Sequence, residues 1–300
     1  MRMTLCSWLC ALVAVVPCSA VLAQNSGVEL QGTLKSAQAT GVVVIGYRDS
    51  SIPFSYLSAE KRPIGYSVDL CQNVVAAMAE ELGRELTVRW VPVTSEDRIS
   101  ALTSGKIDLE CGSTTNNAER RRQVAFSPII FVAGTKLMVR RDSPIKSFRD
   151  LDGKTVVVTT GTTNVAAMRD IAAKFKIALK LIEAPDHADS YARVVAGEAD
   201  AFATDDVLLY GLIARNKAQA QFIVVGDYLS YEPYGIMYRK GDTQLAAVIE
   251  HAFAEMAEAQ DFESIYDRWF LRRLPSGDRI NLPMSAQLEN IFASLGTRPE

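Results

Sequence analysis

The chain has 300 residues, is 48% hydrophobic and 22% charged, and carries a formal net charge of −3. That is enough apolar material for one large or two mid-sized cores, and it excludes a disordered chain. The near-neutral balance excludes the basic stripe of a nucleic-acid binder, and two histidines leave little room for His-rich metal chemistry.

The chain opens with a basic tip, Met1-Arg2-Met3, an almost wholly apolar run over 5–16, and a small-residue exit, Val21-Leu22-Ala23. This pattern predicts a secretory signal over 1–23, cleaved after Ala23. Its apolar run is shorter than the roughly 20 residues a membrane-spanning helix needs. The mature chain is expected to be exported and soluble. Cys6, Cys10 and Cys18 leave with the signal, and Cys71 and Cys111 remain. In an oxidising compartment those two either bridge or stay as buried thiols, and geometry decides which.

Residues 24–40 are small and polar and read as a loose lead-in. The run 42–45 (Val-Val-Val-Ile) reads as a strand buried on both faces, typical of a parallel sheet. Apolar residues at Val68, Cys71, Val75, Met78 and Leu82, with Gly83 as stop, predict a helix over 67–82. A strand follows at 86–91. A helix at 94–102 opens with Thr94 and Asp97 in capping-box spacing, and another strand covers 107–111. The same β-α-β-α-β order then recurs, with strands at 155–158, 179–182 and 199–203 and helices at 163–175 and 190–195. Two such units of about 100 residues each predict two α/β lobes. The tail over 243–270 reads as helical, with Leu245, Val248, Ile249, Ala252, Phe253 and Met256 on one stripe that must pack against the first lobe.

No nucleotide-binding glycine motif, nucleophile elbow, zincin motif or Cys-x-x-Cys is present. The site-like residues cluster instead on loops that follow strands: 47–51 with Arg48, 94–98 with Arg98, 112–117 followed by Arg120, and the Thr-rich 159–163. In an open α/β sheet, ligands sit outside the carboxyl ends of strands. Taken singly, each arginine reads as a surface ion pair and each Thr-rich loop as a helix cap. Together they offer guanidinium forks, hydroxyls and a helix N-terminus to carboxylates. Asp205-Asp206 adds an anionic spot suited to an ammonium, or an N-cap pair. His187 lies in a strand-to-helix loop, Pro185-Asp186-His187-Ala188-Asp189, whereas His251 reads as solvated. The combined chemistry describes an acidic amino acid.

The stretches Gly46 to Tyr56 and Gly65 to Leu70 resemble the amino-acid-binding solute receptors of bacterial ABC importers, solute-binding family 3. The stretches Glu110 to Asn117 with Glu119-Arg120, Val158 to Thr163 and Asp186 to Ser190 resemble the acidic-amino-acid receptors within that family. The likeness runs from about 36 to about 290. It implies a type II periplasmic-binding-protein fold, two α/β lobes closing on ligand like a hinged clamp. The lobes would be 24–132 plus 232–300, and 133–231, with crossovers near 133–135 and 230–233. The resemblance implies no cofactor, no metal and no catalytic residue. It implies L-glutamate or L-aspartate as ligand, an inner-membrane ABC permease as partner and the periplasm as location.

Position by position, the resemblance puts Arg120 and Thr163 on the ligand α-carboxylate. Thr115, the Ser113 carbonyl and Asp205 fall at the amino group. Arg48, Ser95, Arg98 and His187 match the positions that hold a side-chain carboxylate. Arginine at both 48 and 98 points to glutamate or aspartate, since a buried carboxylate needs paired cations to offset desolvation. Two other uses of the scaffold stay open: a periplasmic dehydratase-like enzyme, and a module presenting ligand to a membrane receptor.

Overall fold

The computed structural model describes residues 29–275 and 278–296. The signal segment 1–23 and its cysteines lie outside the described residues. The chain begins with α1 (Gly32–Thr40) and β1 (Val42–Tyr47), then a small sheet of β2 (Ser50–Ser51), β3 (Ser55–Leu57) and β4 (Pro63–Ile64). It continues with α2 (Tyr66–Leu82), β5 (Thr87–Pro92), α3 (Arg98–Thr103), β6 (Leu109–Cys111) and β7 (Val124–Phe126). It crosses through β8 (Phe131–Ala133) into β9 (Thr135–Arg140), β10 (Thr155–Thr159), α4 (Thr163–Phe175) and β11 (Lys180–Ala184). The same unit adds α5 (His187–Val195), β12 (Ala201–Asp205), α6 (Asp206–Arg215) and β13 (Phe222–Val225). The return runs through β14 (Glu232–Tyr234) to β15 (Met237–Arg239), and then α7 (Thr243–Glu258), α8 (Asp261–Tyr266) and α9 (Ala286–Leu295).

Two five-stranded sheets result, ordered β5-β1-β6-β15-β7 and β11-β10-β12-β9-β13, one in each lobe. In each, a Val-rich strand lies between two parallel neighbours, β1 between β5 and β6, β10 between β11 and β12. Val156 to Val158 are fully buried, as a strand covered on both faces requires, whereas β1 buries Val43 and Ile45 on one face and leaves Val42 and Val44 half-buried on the other, so the expectation of burial on both faces holds for β10 and not for β1. The late strand β15 joins the first sheet antiparallel to β6 and β7. β8 and β14 pair antiparallel with each other, so both crossings share one two-stranded ribbon. Beneath that ribbon, Phe54, Phe131, Tyr234 and Phe270 form a buried aromatic block, with Phe54 5.0 Å from Phe131 and 5.1 Å from Tyr234 between ring centroids. Phe54 meets Phe131 and Tyr234 edge to face and Phe270 stacks on Phe131, contacts worth about 0.5–1.5 kcal/mol per pair beyond burial, which hold the ribbon against the first lobe.

The elements expected from periodicity are present, with differences at their ends. The lead-in is not loose: Gly32–Thr40 is helical, because Leu34 and Ala37 bury against the core and Gly41 closes the helix at φ 72°. The Thr94–Asp97 capping bonds exist, at 2.6 and 3.1 Å, but they close a turn before the helix, which starts at Arg98. The helical tail breaks at Gln260, where φ is 59°, into α7 and α8. Its stripe packs against α2 as the need for burial requires, and Trp269 donates to Asp69 of α2 at 2.8 Å.

The lobes touch through backbone. A Cβ on Gly211 of α6 would lie 2.2 Å from the Ile52 carbonyl oxygen of the first lobe. One on Gly161 would lie 2.6 Å from Glu96 Cα. Cys71 of α2 and Cys111 of β6 form a disulfide, with Cα atoms 6.3 Å apart across 40 residues. Cys111 directly precedes the loop that carries Ser113 and Thr115. Replacing both cysteines by serine is expected to lower unfolding free energy by about 4 kcal/mol, the chain-entropy value for a loop of this length. Denaturant titration with and without reductant reads this directly, and identical midpoints would refute it.

Candidate functional site

Ser95, Arg98, Ser113, Thr115, Arg120, Thr163, His187 and Asp205 line one small cavity of about 10 Å3. They arrive from the segments after β5 and β6, from the last residue of β12 and from the first turns of three helices, so both sheets face the cavity with their carboxyl ends. Arg48, the ninth expected residue, lines an adjacent cavity with Asp49, Thr94 and Asp186. It meets the first cavity through Ser95, whose Oγ accepts from Arg48 Nη2 at 2.6 Å.

The arginines are buried, not surface-paired: relative exposure is 1% for Arg48, 2% for Arg98 and 8% for Arg120. Arg48 directly follows β1, and its backbone N–H donates to Ser55 Oγ at 2.9 Å. Arg98 is the first residue of α3 and reaches across to the Gly161 carbonyl at 3.4 Å. Arg120 opens a short 3-10 turn and donates from Nη1 to the Thr115 carbonyl at 3.0 Å. Burial, and then repulsion from Arg98, pushes Arg48 down to about 10 and Arg120 down to about 9. Burial also lowers Arg98. All three remain cations at neutral pH. Arg48 Nη1, Arg98 Nε and Ser113 Oγ are buried without a protein hydrogen-bond partner.

Two buried carboxylates answer this charge, and both escaped the sequence reading. Glu110 of β6 is fully buried; Thr114 Oγ1 donates to it at 2.7 Å, and its negative charge favours the ionised form of each of the three arginines. Glu232 of β14 accepts from Thr115 Oγ1 at 2.6 Å and from Thr163 Oγ1 at 2.7 Å. Glu232 is the acidic residue of the second crossover, and a buried charge on a crossover strand was the signal available. Asn164, which donates to Asp205 Oδ1 at 2.7 Å, and Leu208 also line the site and were not anticipated.

Asp205 ends β12 and does not cap α6 with its side chain; its carboxyl takes Asn164 and the Tyr234 hydroxyl instead. Burial first, and then the nearby Glu232 charge, raises it to about 7. His187 is helical rather than in a loop: Asp186 caps α5 by accepting from Asp189 N at 2.9 Å, so the helix starts three residues earlier than apolar spacing indicates. Its Nδ1 lies 2.8 Å from Thr159 Oγ1. Burial, then Arg48 and Arg98, hold it well below the usual imidazole range, so the ring is neutral. His251 is exposed, 3.3 Å from Glu255. Among the described residues there is no cluster that could hold a metal ion, and no helix is long and apolar enough to cross a membrane.

The sequence model of bacterial extracellular solute-binding proteins, family 3, matches residues 43–272. The chain is 44% identical over 287 residues to the L-glutamate/L-aspartate-binding protein of Pseudomonas aeruginosa, covering 95% of this chain and 94% of that one. It is 38% identical over 262 residues to the glutamate/aspartate import solute-binding protein of Escherichia coli, covering 87% of each. Among solved structures it superposes on a variant of the arginine-binding protein of T. maritima with a TM-score of 0.71 at 27% identity, covering 80% of this chain and 100% of that one. The chain therefore belongs to family 3 of the bacterial extracellular solute-binding proteins, and its two lobes have the type II fold of that family.

Proposed function

We propose that this chain is the periplasmic receptor of an ABC importer, that it binds L-glutamate and L-aspartate, and that it hands them to an inner-membrane permease. The observation that carries this reading is the set of buried cationic donors, Arg48 Nη1 and Arg98 Nε, that have no protein acceptor. Leaving a charged donor unpaired in the interior costs several kcal/mol. A side-chain carboxylate held by Arg48, Ser95, Arg98 and His187 removes that cost. Arg120 and the N-terminus of α4 take the α-carboxylate, and Thr115, the Ser113 carbonyl and Asp205 take the amino group. The relatives' names support the same choice: they describe binding proteins for glutamate and aspartate, two of them for import, rather than enzymes.

The lobes are 24–132 with 232–300, and 133–231, and the β8–β14 ribbon between the two sheets supports this division. Ligand docks on one lobe and closure adds the other lobe's contacts. The signal-like start supports export with cleavage after Ala23.

Calorimetry on ligand-stripped mature protein is expected to give 1:1 binding of glutamate and aspartate and none of glutamine or arginine; silence toward all four overturns the assignment. Arg98→Lys keeps the charge but loses the fork, and is expected to weaken glutamate by roughly 30- to 1000-fold. Gly211→Ala places a methyl against the Ile52 carbonyl, where α6 and the first lobe meet in a shared core, and is expected to cost about 1–3 kcal/mol of stability, read as a lower melting temperature.

Asp205 gives a pH signature. Its folded pKa, raised to about 7, lies above the roughly 3.9 of an unfolded chain, so its contribution to stability falls as pH rises between those values. A docking ammonium ionises it. Glutamate binding at pH 6 is therefore expected to release a proton from Asp205, seen as a dependence of the binding enthalpy on buffer ionisation enthalpy. That component should vanish in Asp205→Asn.

A further inference from the structure

We propose that Glu232, which does not itself line the cavity, is the positioning residue that makes the site demand an α-ammonium, by turning the Thr115 and Thr163 hydroxyls into acceptors. The inference rests on the amino-acid-receptor reading above and deepens it. Glu232 sits on β14, only 2% exposed, between the two sheets. One of its oxygens, Oε2, accepts from Thr115 Oγ1 at 2.6 Å and from Thr163 Oγ1 at 2.7 Å. Both threonines line the cavity, one from the loop after β6 and one from the first turn of α4.

A hydroxyl has one proton and two lone pairs, and a carboxylate can only accept. With both protons committed to Glu232, each threonine turns a lone pair toward the ligand. A lone pair welcomes an ammonium N–H and repels a ketone oxygen. The same count reassigns Thr163. Its hydroxyl has no proton left for the α-carboxylate, so that group is held from α4 by the free backbone N–H groups of the first turn, where no side chain caps the helix. Glu232 also adds negative charge beside Asp205 and Arg120, as the shifts of both groups register. The site therefore selects 2-amino dicarboxylates and rejects their 2-oxo counterparts, and the residue that sets this is one layer behind the ligand.

The test is the ratio of affinities for L-glutamate and 2-oxoglutarate, measured by calorimetry, with melting temperature followed in parallel. Glu232→Gln keeps the shape but can donate to the threonines and free their protons to face the cavity. It is expected to weaken glutamate at least about tenfold, the worth of one charge-assisted hydrogen bond, while 2-oxoglutarate holds or tightens. Thr115→Val is expected to narrow the ratio as well, and the double variant to narrow it by less than the product of the two. If Glu232→Gln does not fold, Glu232→Asp decides, since it keeps the charge but draws the oxygen back from both threonines, and a ratio it leaves unchanged overturns the role of Glu232. A ratio that is unchanged in the variants, with wild-type glutamate binding intact, overturns the role of Glu232 alone. Wild-type protein silent toward glutamate overturns the receptor reading and this inference together.

Discussion

Three guanidiniums lie buried around one cleft, and the cost of keeping them there shapes the rest of the site. An isolated buried cation is unfavourable by several kcal/mol, and mutual repulsion among Arg48, Arg98 and Arg120 adds to it. The protein offsets part of this cost with Glu110, buried among them, and with fixed acceptors such as Ser95 Oγ and the Thr115 carbonyl. It leaves Arg48 Nη1 and Arg98 Nε unanswered. On the receptor reading proposed above, the two carboxylates of an acidic amino acid relieve this residual cost, so affinity is stored as incomplete pairing.

Strand β14 ties this electrostatic arrangement to the fold. Tyr234 belongs to the aromatic block under the crossing ribbon, and its hydroxyl reaches Asp205 in the second lobe. Glu232, two residues away on the same strand and so on the same face, joins Thr115 of the first lobe to Thr163 of the second. One short strand thus carries a packing anchor and a polar bridge at the pivot between lobes. Close backbone approach at Gly161 and Gly211 lets the cavity walls meet without side chains holding them apart.

Periodicity made the two repeated β-α-β-α-β units legible, because Val-rich strands such as 42–47 and 155–159 are apolar on both faces and amphipathic helices are apolar on one. Arg98, Arg120 and Thr163 were legible as candidates because strand-end loops of such a sheet open toward its ligand edge. The helix at Gly32–Thr40 was not, because two buried apolar residues and a glycine stop are too few to stand out against a polar composition. His187 read as a loop residue because the Asp186 cap outweighed apolar spacing in setting where α5 begins.

The sequence alone determined the two repeated β-α-β-α-β units and the presence of cations, hydroxyls and an acid on loops, since these follow from local pattern; the family followed from resemblance to known motifs. Only the tertiary structure decided that the arginines are buried, that Cys71 and Cys111 bridge, that Arg48 reaches the cavity through Ser95, and that Glu232 and Glu110 belong to the site. Each of those depends on residues tens to more than a hundred positions apart being brought within hydrogen-bond or bonding distance. Local propensity carries no information about which buried charge will find which partner.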